Sequence, residues 1–142
     1  SYTHFDYSEL SLSEDRIATD GTIEASVTVT NTGEIDGATV VQLYLTDPVA
    51  QVTRPVIQLV GFARTHLAAG QSARVSFELH ADRFSFTGKD NERIVEPGAI
   101  LLSVGESSTD RRLSAAFTLE GAQRAVGRDY VMTTPVSIEM GS

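Results

Sequence analysis

Apolar and polar residues alternate along five separate stretches of this chain, and this alternation constrains the fold more than any other feature. A period of two places successive side chains on opposite faces of a strand, and no stretch keeps the 3.6-residue period of an amphipathic helix. Turn signals separate the stretches roughly every 8 to 12 residues, which is typical of a two-sheet β-sandwich. The alternating apolar positions are Ile23, Ala25, Val27 and Val29; Val41, Leu43 and Leu45; Ala73, Val75, Phe77 and Leu79; Ile100, Leu102 and Val104; and Leu113, Ala115, Phe117 and Leu119.

The amino-acid composition narrows the kind of sandwich. The chain has 142 residues, no cysteine and no tryptophan. It is long enough for one domain with a real core, but it cannot build the Cys-Trp-Cys core of antibody domains. We therefore predict an all-β fold, a fibronectin type III/immunoglobulin-like sandwich of about seven antiparallel strands in two sheets. The absence of cysteine also excludes disulfides and thiolate metal sites.

The net charge limits the partners. The chain carries a formal charge of -8, which repels nucleic-acid phosphates and anionic lipid, and no apolar run reaches membrane-spanning length. We therefore expect neither nucleic acid nor a membrane as a partner. We also assign no cofactor. The chain begins at Ser1 without methionine, which indicates a piece of a longer protein.

Two features of the first half of the chain carry specific structural expectations. The apolar phase changes within residues 2–12, which predicts an edge strand with a bulge near Ser8-Glu9. Asn31-Thr32-Gly33 and Asp36-Gly37 tolerate positive φ. We therefore expect them to close a hairpin onto the Val40 strand.

The next strand is predicted over residues 57–65, with Leu59 and Phe62 as its anchors. Phe62 is interpreted as a core residue, with an interface contact as the alternative. Gly61 permits close backbone approach in either case. Further along, residues 81–84 are predicted to make one helical turn.

The connection over residues 47–55 is the chemically unusual part of the chain. It is bracketed by Asp47-Pro48 and Arg54-Pro55. Each proline fixes its own φ and restricts the residue before it, so the loop is comparatively stiff. Arg54 can offer a planar, bidentate fork to a carboxylate or a carbonyl, and Asp47 can cap the turn that it begins. Two interpretations stay open: an Asp47 to Arg54 pair within the domain, or a contact with another domain.

Several short motifs follow one another in an order that resembles a known family. They are Ser1-Tyr2-Thr3-His4-Phe5, Val29-Thr30-Asn31-Thr32-Gly33, Val40-Val41-Gln42-Leu43-Tyr44, Asp47-Pro48, Arg54-Pro55, Leu59-Val60-Gly61-Phe62, Glu96-Pro97-Gly98 and Val104-Gly105-Glu106-Ser107-Ser108-Thr109-Asp110. Their order and spacing make the chain similar to the C-terminal fibronectin type III-like domain of family 3 glycoside hydrolases, the β-glucosidases and β-xylosidases. Three departures stand out: Ala69-Gly70 replaces the usual Pro-Gly, and Thr87 and Arg93 stand where family members often carry aromatic residues.

The resemblance implies a non-catalytic accessory domain that docks on and stabilises the upstream catalytic domains of a retaining β-glycosidase. The family places its nucleophile in a Ser-Asp-Trp motif on a (β/α)8 barrel and its acid/base glutamate on a following α/β domain. Neither segment is present, so the isolated chain is not expected to be an enzyme. The residues that we assign to the interdomain contact are Asp47, Arg54, Pro55 and Phe62.

No group of residues has the spacing of a catalytic or metal site. His4, His66 and His80 are far apart in the sequence and lack ligand spacing. Carboxylates at predicted turns are interpreted as solvated caps. These carboxylates are Asp90, Glu92, Glu96, Glu106 and Asp110. We therefore assign no catalytic and no metal-binding residue.

The C-terminal tail lies outside the resemblance. We therefore divide the chain into a fibronectin type III-like domain at residues 1–121 and a tail at residues 122–142. Val136, Ile138 and Met140 alternate in the tail, which predicts an extra strand or a docking segment.

The main alternative function is a carbohydrate- or polymer-binding module that targets the enzyme to polysaccharide. Such sites usually need exposed aromatic rings for stacking on sugars. The aromatic candidates are Tyr2, Tyr7, Tyr44 and Tyr130, and they form no obvious exposed row. A spacer or adhesion-type sandwich without an attached enzyme is a further alternative.

Overall fold

The computed structural model describes residues 4–46, 57–88, 91–107, 109–127 and 130–141. Within these ranges the chain is built from β-strands and a single 3-10 helical turn, and no helix there has the length and apolar character needed to cross a membrane. The elements are β1 (Phe5–Leu12), β2 (Arg16–Ala18), β3 (Thr22–Asn31), β4 (Gly37–Thr46), β5 (Ile57–Leu67), β6 (Ser72–His80), the 3-10 turn η1 (Ala81–Phe84), β7 (Phe86–Thr87), β8 (Arg93–Val95), β9 (Gly98–Ser107), β10 (Asp110–Glu120), β11 (Arg124–Ala125) and β12 (Val136–Met140).

Two sheets form the sandwich. One has the strand order β1-β3-β6-β12 and the other has the order β2-β10-β9-β4-β5. Strand β2 runs parallel to β10, and the other pairs in these two sheets are antiparallel. A small third sheet, β11-β8-β7, completes the described part. The predicted fibronectin type III/immunoglobulin-like fold is confirmed, with more strands than the seven expected.

The core lies between the inner faces of the two large sheets, as the alternation predicts. The largest fully buried side chains are Phe77, Ile23, Leu43, Leu67, Leu79, Ile100, Leu102 and Leu119. Each side chain of this size contributes roughly 1.5–3 kcal/mol when it is fully removed from water. The ring of Phe84 in η1 packs on Phe117 of β10, with the ring centroids 5.2 Å apart. The predicted helical turn therefore helps to close the core.

Strand β1 lies at the edge of its sheet and carries the predicted bulge. The pairing of β1 with β3 shifts register between Ser8 and Ser11, and Glu9 has a left-handed φ of 54°. Before the bulge Tyr7 is buried, and after it Leu10 packs against the core. The extra residue moves the inward positions from one parity to the other, as the sequence pattern predicts.

The hairpin expected between β3 and β4 does not form. Strand β3 pairs with β1 and β6, whereas β4 pairs with β5 and β9, so residues 32–36 cross from one sheet to the other. The fully buried Asn31 organises this crossover. Its Nδ2 donates to the carbonyl oxygens of Ile35 (2.9 Å) and Leu67 (3.1 Å), and its Oδ1 accepts from the amide of Gly33 (2.9 Å). The side chain thus satisfies backbone groups that a hairpin ladder would otherwise pair.

Candidate docking surface

A β-bulge decides which side chains face outward at the start of β5. In the pairing with β4, Leu43 lies opposite Gly61 and Tyr44 lies opposite Leu59. Val60 is therefore one extra residue in β5, which is the definition of a bulge. Val60 and Gly61 are both buried, so two successive residues face the interior.

The bulge turns both Leu59 and Phe62 outward. Leu59 is 44% exposed and Phe62 is 64% exposed, so these residues are not the core anchors that the sequence predicted. The apolar side chains of β5 that face inward are instead those of Val60, Ala63 and Leu67. An uninterrupted strand would place residues 59 and 62 on opposite faces, and only the extra residue brings both to the outer face.

The outer faces of the two large sheets differ in chemistry. On the four-stranded sheet, Ser26 and Ser76 share a hydrogen bond of 2.8 Å, and Arg74 donates to Thr28 over 2.8 Å. On the five-stranded sheet, the outward positions of β5 from Ile57 to Phe62 and the positions of β4 and β9 beside them carry no acidic or basic group, and Arg64 follows Phe62 on the same face. These positions are Ile57, Leu59 and Phe62 on β5, Gln42, Tyr44 and Thr46 on β4, and Leu101 and Ser103 on β9.

The large exposed apolar side chains lie on two adjacent segments. Among the described residues, every one except Ile35 belongs to β5 or to residues 132–140. Strands β5 and β12 stand at the edges of their sheets and contact each other. We call this set the β5–tail surface, and it consists of Ile57, Leu59, Phe62, Met132, Val136, Ile138 and Met140. Contiguous exposed apolar groups on a small domain mark an interaction site.

Arg83 of η1 joins the tail to β5 at the bulge. Its Nη2 donates to the carbonyl oxygen of Val60 (2.9 Å), its Nε donates to Thr134 Oγ1 (3.0 Å), and its Nη1 donates to the carbonyl oxygen of Met132. Burial lowers the pKa of Arg83, but a guanidinium stays charged in proteins. Phe62 and Met132 line a shallow groove of about 370 Å³ beside this junction.

Asp82 holds the start of the same segment. Its carboxylate accepts hydrogen bonds from the guanidinium of Arg124 and from the amide of Val131 (2.9 Å). Burial alone would raise the pKa of Asp82, but the bonds from Arg124 and Val131 outweigh it and hold the pKa below its ordinary value. Asp82 and Arg83 therefore fix residues 130–134 against the body of the domain.

A second polar cluster joins β1, β4, β9 and β10. Thr39 Oγ1 donates to Glu106 Oε1 (3.1 Å) and is 3.2 Å from Tyr7 Oη. Arg112 lies over the ring of Tyr7 and pairs with Asp110 (3.1 Å) and Glu106 (3.5 Å). Burial raises the pKa of Tyr7 to about 12. Glu106 is therefore a bonded residue of β9 and not the solvated turn group that we expected.

The structure tests only part of the predicted site. Phe62 lies in the β5–tail surface, whereas Asp47, Arg54 and Pro55 lie outside the described residues. Both interpretations of the 47–55 loop therefore stay predictions. Within the described ranges, no three His, Asp or Glu side chains are close enough to hold a metal ion.

Sequence reasoning missed Asp82, Arg83 and Met132. The contacts of Asp82 and Arg83 with the tail span 49 to 51 residues of sequence, and no local pattern indicates such distant partners. The alternation of the tail was the one available signal. It predicts a strand there, and β12 does pair with β6, from Val136 opposite Phe77 to Met140 opposite Ala73.

The sheet order and the matched sequence define the class of domain. Residues 39–108 match the family described as the fibronectin type III-like domain. These residues, which run from β4 to the end of β9, belong to that family.

The chain is also similar to one part of much longer glycoside hydrolases. A β-xylosidase from Formosa agariphila is 44% identical over 108 residues, which are 76% of this chain and 15% of the relative. A β-glucosidase from Listeria innocua, solved in complex with glucose, superposes with a TM-score of 0.76 at 32% identity, over 85% of this chain and 16% of that chain. A GH3 β-glucosidase from Bifidobacterium adolescentis superposes with a TM-score of 0.77 at 33% identity, over 90% of this chain and 19% of that chain.

This chain is therefore the counterpart of one small domain of these relatives. It spans between 15% and 19% of their length. The predicted resemblance to the fibronectin type III-like domain of family 3 glycoside hydrolases is confirmed.

Proposed function

We propose that this chain is a non-catalytic accessory domain of a family 3 β-glucosidase or β-xylosidase, where it docks on the catalytic domains and stabilises them. One observation carries the proposal. Proteins named as a β-xylosidase and a β-glucosidase match most of this chain, but the match takes up only 15% or 16% of their own length. Retaining hydrolysis needs two carboxylates placed across the sugar, and that chemistry belongs to the remainder of such a polypeptide.

The docking contact in this proposal includes Asp47, Arg54, Pro55 and Phe62. The 64% exposure of Phe62 supports its place in this contact. An aromatic ring in water contributes little to the stability of a free domain, and burial against a second domain would remove it from water. In the sequence, Asp47 directly follows β4, and Arg54 and Pro55 come shortly before β5. The guanidinium of Arg54 supplies the planar fork that suits a carboxylate or a backbone carbonyl on another domain.

The proposal is tested by removing residues 1–142 from the full polypeptide that contains them. We expect the truncated enzyme to melt at a lower temperature and to lose hydrolytic activity toward an aryl β-glucoside or an aryl β-xyloside. The isolated 142-residue chain should hydrolyse neither substrate above the buffer rate. A truncated enzyme with unchanged melting temperature and activity would refute the accessory role, and activity in the isolated chain would refute the non-catalytic role.

No observation favours the alternative of a polysaccharide-binding module. Tyr7 and Tyr44 are buried, and Tyr130 carries the guanidinium of Arg93 over its ring at 4.9 Å. Phe62 is the one aromatic side chain among the exposed large apolar groups of the described residues. Retention of the chain on insoluble cellulose or xylan would nevertheless support the alternative, and elution with the void volume would count against it.

A further inference from the structure

We propose that the β5–tail surface is the part of this domain that packs against the catalytic domains of its own polypeptide. This inference rests on the function proposed above and names the contact surface. It makes the tail a docking element, because Met132 and β12 supply four of the seven residues of the surface.

The chemistry of the surface indicates a protein partner with apolar side chains. The chain carries a net charge of -8, yet none of the seven residues of the β5–tail surface is charged. Glu139 interrupts them in the sequence, but it lies opposite Arg74 on the other face of β12. Arg64 follows Phe62 on the same face of β5 and is exposed, so the apolar group has an arginine at its edge, as an interface core with a polar rim does.

The covalent connection favours a domain of the same polypeptide over a second copy of the chain. Domains of one polypeptide are held at high effective concentration, so a smaller contact is sufficient. The relatives supply such a partner, because about 85% of their length lies outside the region matched here (100% less 15%).

The tail is held in a fixed position before any partner binds. Arg83 bonds the carbonyl oxygen of Met132 and the hydroxyl of Thr134, and Asp82 bonds the amide of Val131. Thr134 in turn donates to the carbonyl oxygen of Val60. A surface that is already ordered loses little conformational entropy on binding, which suits a permanent contact between domains.

The test uses charge-inserting variants in the full polypeptide that contains this chain. Phe62→Glu and Met132→Glu place a carboxylate in the surface, and Ile35→Glu is the matched control because Ile35 is 50% exposed in the β3–β4 crossover. We expect the two surface variants, and not the control, to melt in two calorimetric transitions where the parent shows one. In the unsubstituted full polypeptide, the amides of residues 57–62 and 130–134 should exchange hydrogen more slowly than in the isolated 142-residue chain.

The outcomes separate this inference from the proposed function. If removing the whole domain changes neither melting nor activity, the accessory role itself is wrong. If removal destabilises the enzyme but Phe62→Glu and Met132→Glu behave like Ile35→Glu, only the choice of surface is wrong. If the isolated chain forms dimers that Phe62→Glu dissociates, the surface binds a second copy and the inference is overturned.

Discussion

Arg83 donates from Nη2 to the carbonyl oxygen of Val60 over 2.9 Å, so a residue of η1 is bonded directly to the bulge of β5. The same guanidinium also bonds Thr134 and the backbone of Met132. One side chain therefore connects the 3-10 turn, the edge of the five-stranded sheet and the tail. The position of the tail relative to β5 depends on this junction.

Replacing Arg83 with methionine keeps most of the aliphatic stem and removes all three donors. We expect the free energy of unfolding of the isolated chain to fall by about 2 kcal/mol, because hydrogen bonds from a charged group contribute roughly 1.5–3 kcal/mol. Urea denaturation followed by circular dichroism measures this change. Hydrogen exchange at residues 130–134 should also accelerate, since local opening follows the loss of local contacts.

The matched control for Arg83 is Arg64→Met, which changes an exposed arginine on the outer face of β5. Exposed substitutions usually shift stability by less than about 0.5 kcal/mol. An equal loss in both variants would contradict the role of the junction, because it would then reflect loss of positive charge alone.

The pKa of Asp82 predicts a specific dependence of stability on pH. Its folded pKa lies below the ordinary value, so the unfolded chain takes up the proton first as the pH falls. The stabilisation is therefore fully present above about pH 4 and is lost as the pH falls through the folded pKa. We expect Asp82→Asn to be less stable than the parent chain by about 2 kcal/mol at pH 7, with the difference shrinking toward pH 2.

Urea midpoints for both chains at pH 7, 5, 4, 3 and 2 test this expectation. Asp6→Asn serves as the control, because Asp6 is an exposed carboxylate on β1. A constant difference between the parent and Asp82→Asn across this range would show that the ionised carboxylate of Asp82 contributes nothing to holding Arg124.

The inner faces of the sandwich are predictable because they depend on one local rule. Each buried residue of β3 and β6 alternates with a polar one, and a period of two is visible without knowledge of the partner strand. The bulge in β1 is predictable for the same reason, since the parity of apolar residues changes across Ser8-Glu9. The fold class therefore follows from the sequence.

The features that shape the β5–tail surface cannot be recognised from a local sequence pattern. Leu59, Val60 and Phe62 are all apolar, so the run that contains the second bulge shows no change of parity. Asn31, Gly33, Asp36 and Gly37 are turn residues that suit crossovers as well as hairpins, so the sequence predicts a hairpin where the chain crosses between the sheets. The junction at Arg83 depends on partners that only the folded chain brings together.

Asn31 is expected to be critical for the crossover between the sheets. Asn31→Ala leaves the carbonyl oxygens of Ile35 and Leu67 and the amide of Gly33 without the side chain that bonds them. Because unsatisfied buried polar groups cost roughly 1–3 kcal/mol each, we expect a loss of about 3 kcal/mol in the free energy of unfolding. Thermal and urea denaturation of the isolated chain measure it.

Asn31→Asp provides a sharper version of the same test. A carboxylate can still accept from Gly33, but it faces the two carbonyl oxygens that Nδ2 now bonds. Burial beside these acceptors disfavours the charged form, so the variant should be less destabilised at pH 4 than at pH 7. Equal destabilisation at both pH values would argue against the donor role of Nδ2.

Gly61 is expected to tolerate no side chain at the β5 bulge. A Cβ there would lie 2.9 Å from Phe77 Cδ1 and 3.3 Å from Thr134 Cγ2. Phe77 is 1% exposed and cannot move without repacking the core. Overpacking of this kind costs about 1–3 kcal/mol, so Gly61→Ala should lower the urea midpoint of the isolated chain. It should also loosen the tail, because Thr134 is the other neighbour.

Gly127→Ala is the matched control for Gly61, because it adds the same methyl group at an exposed position. A Cβ at residue 127 would meet no atom within 4 Å, and Gly127 is not among the glycines with positive φ. Replacing glycine at such a site restricts the unfolded chain and stabilises by about 0.4–1 kcal/mol. The two variants should therefore shift stability in opposite directions. A stabilising Gly61→Ala would mean that the bulge has room for a side chain and that Phe77 does not press against it.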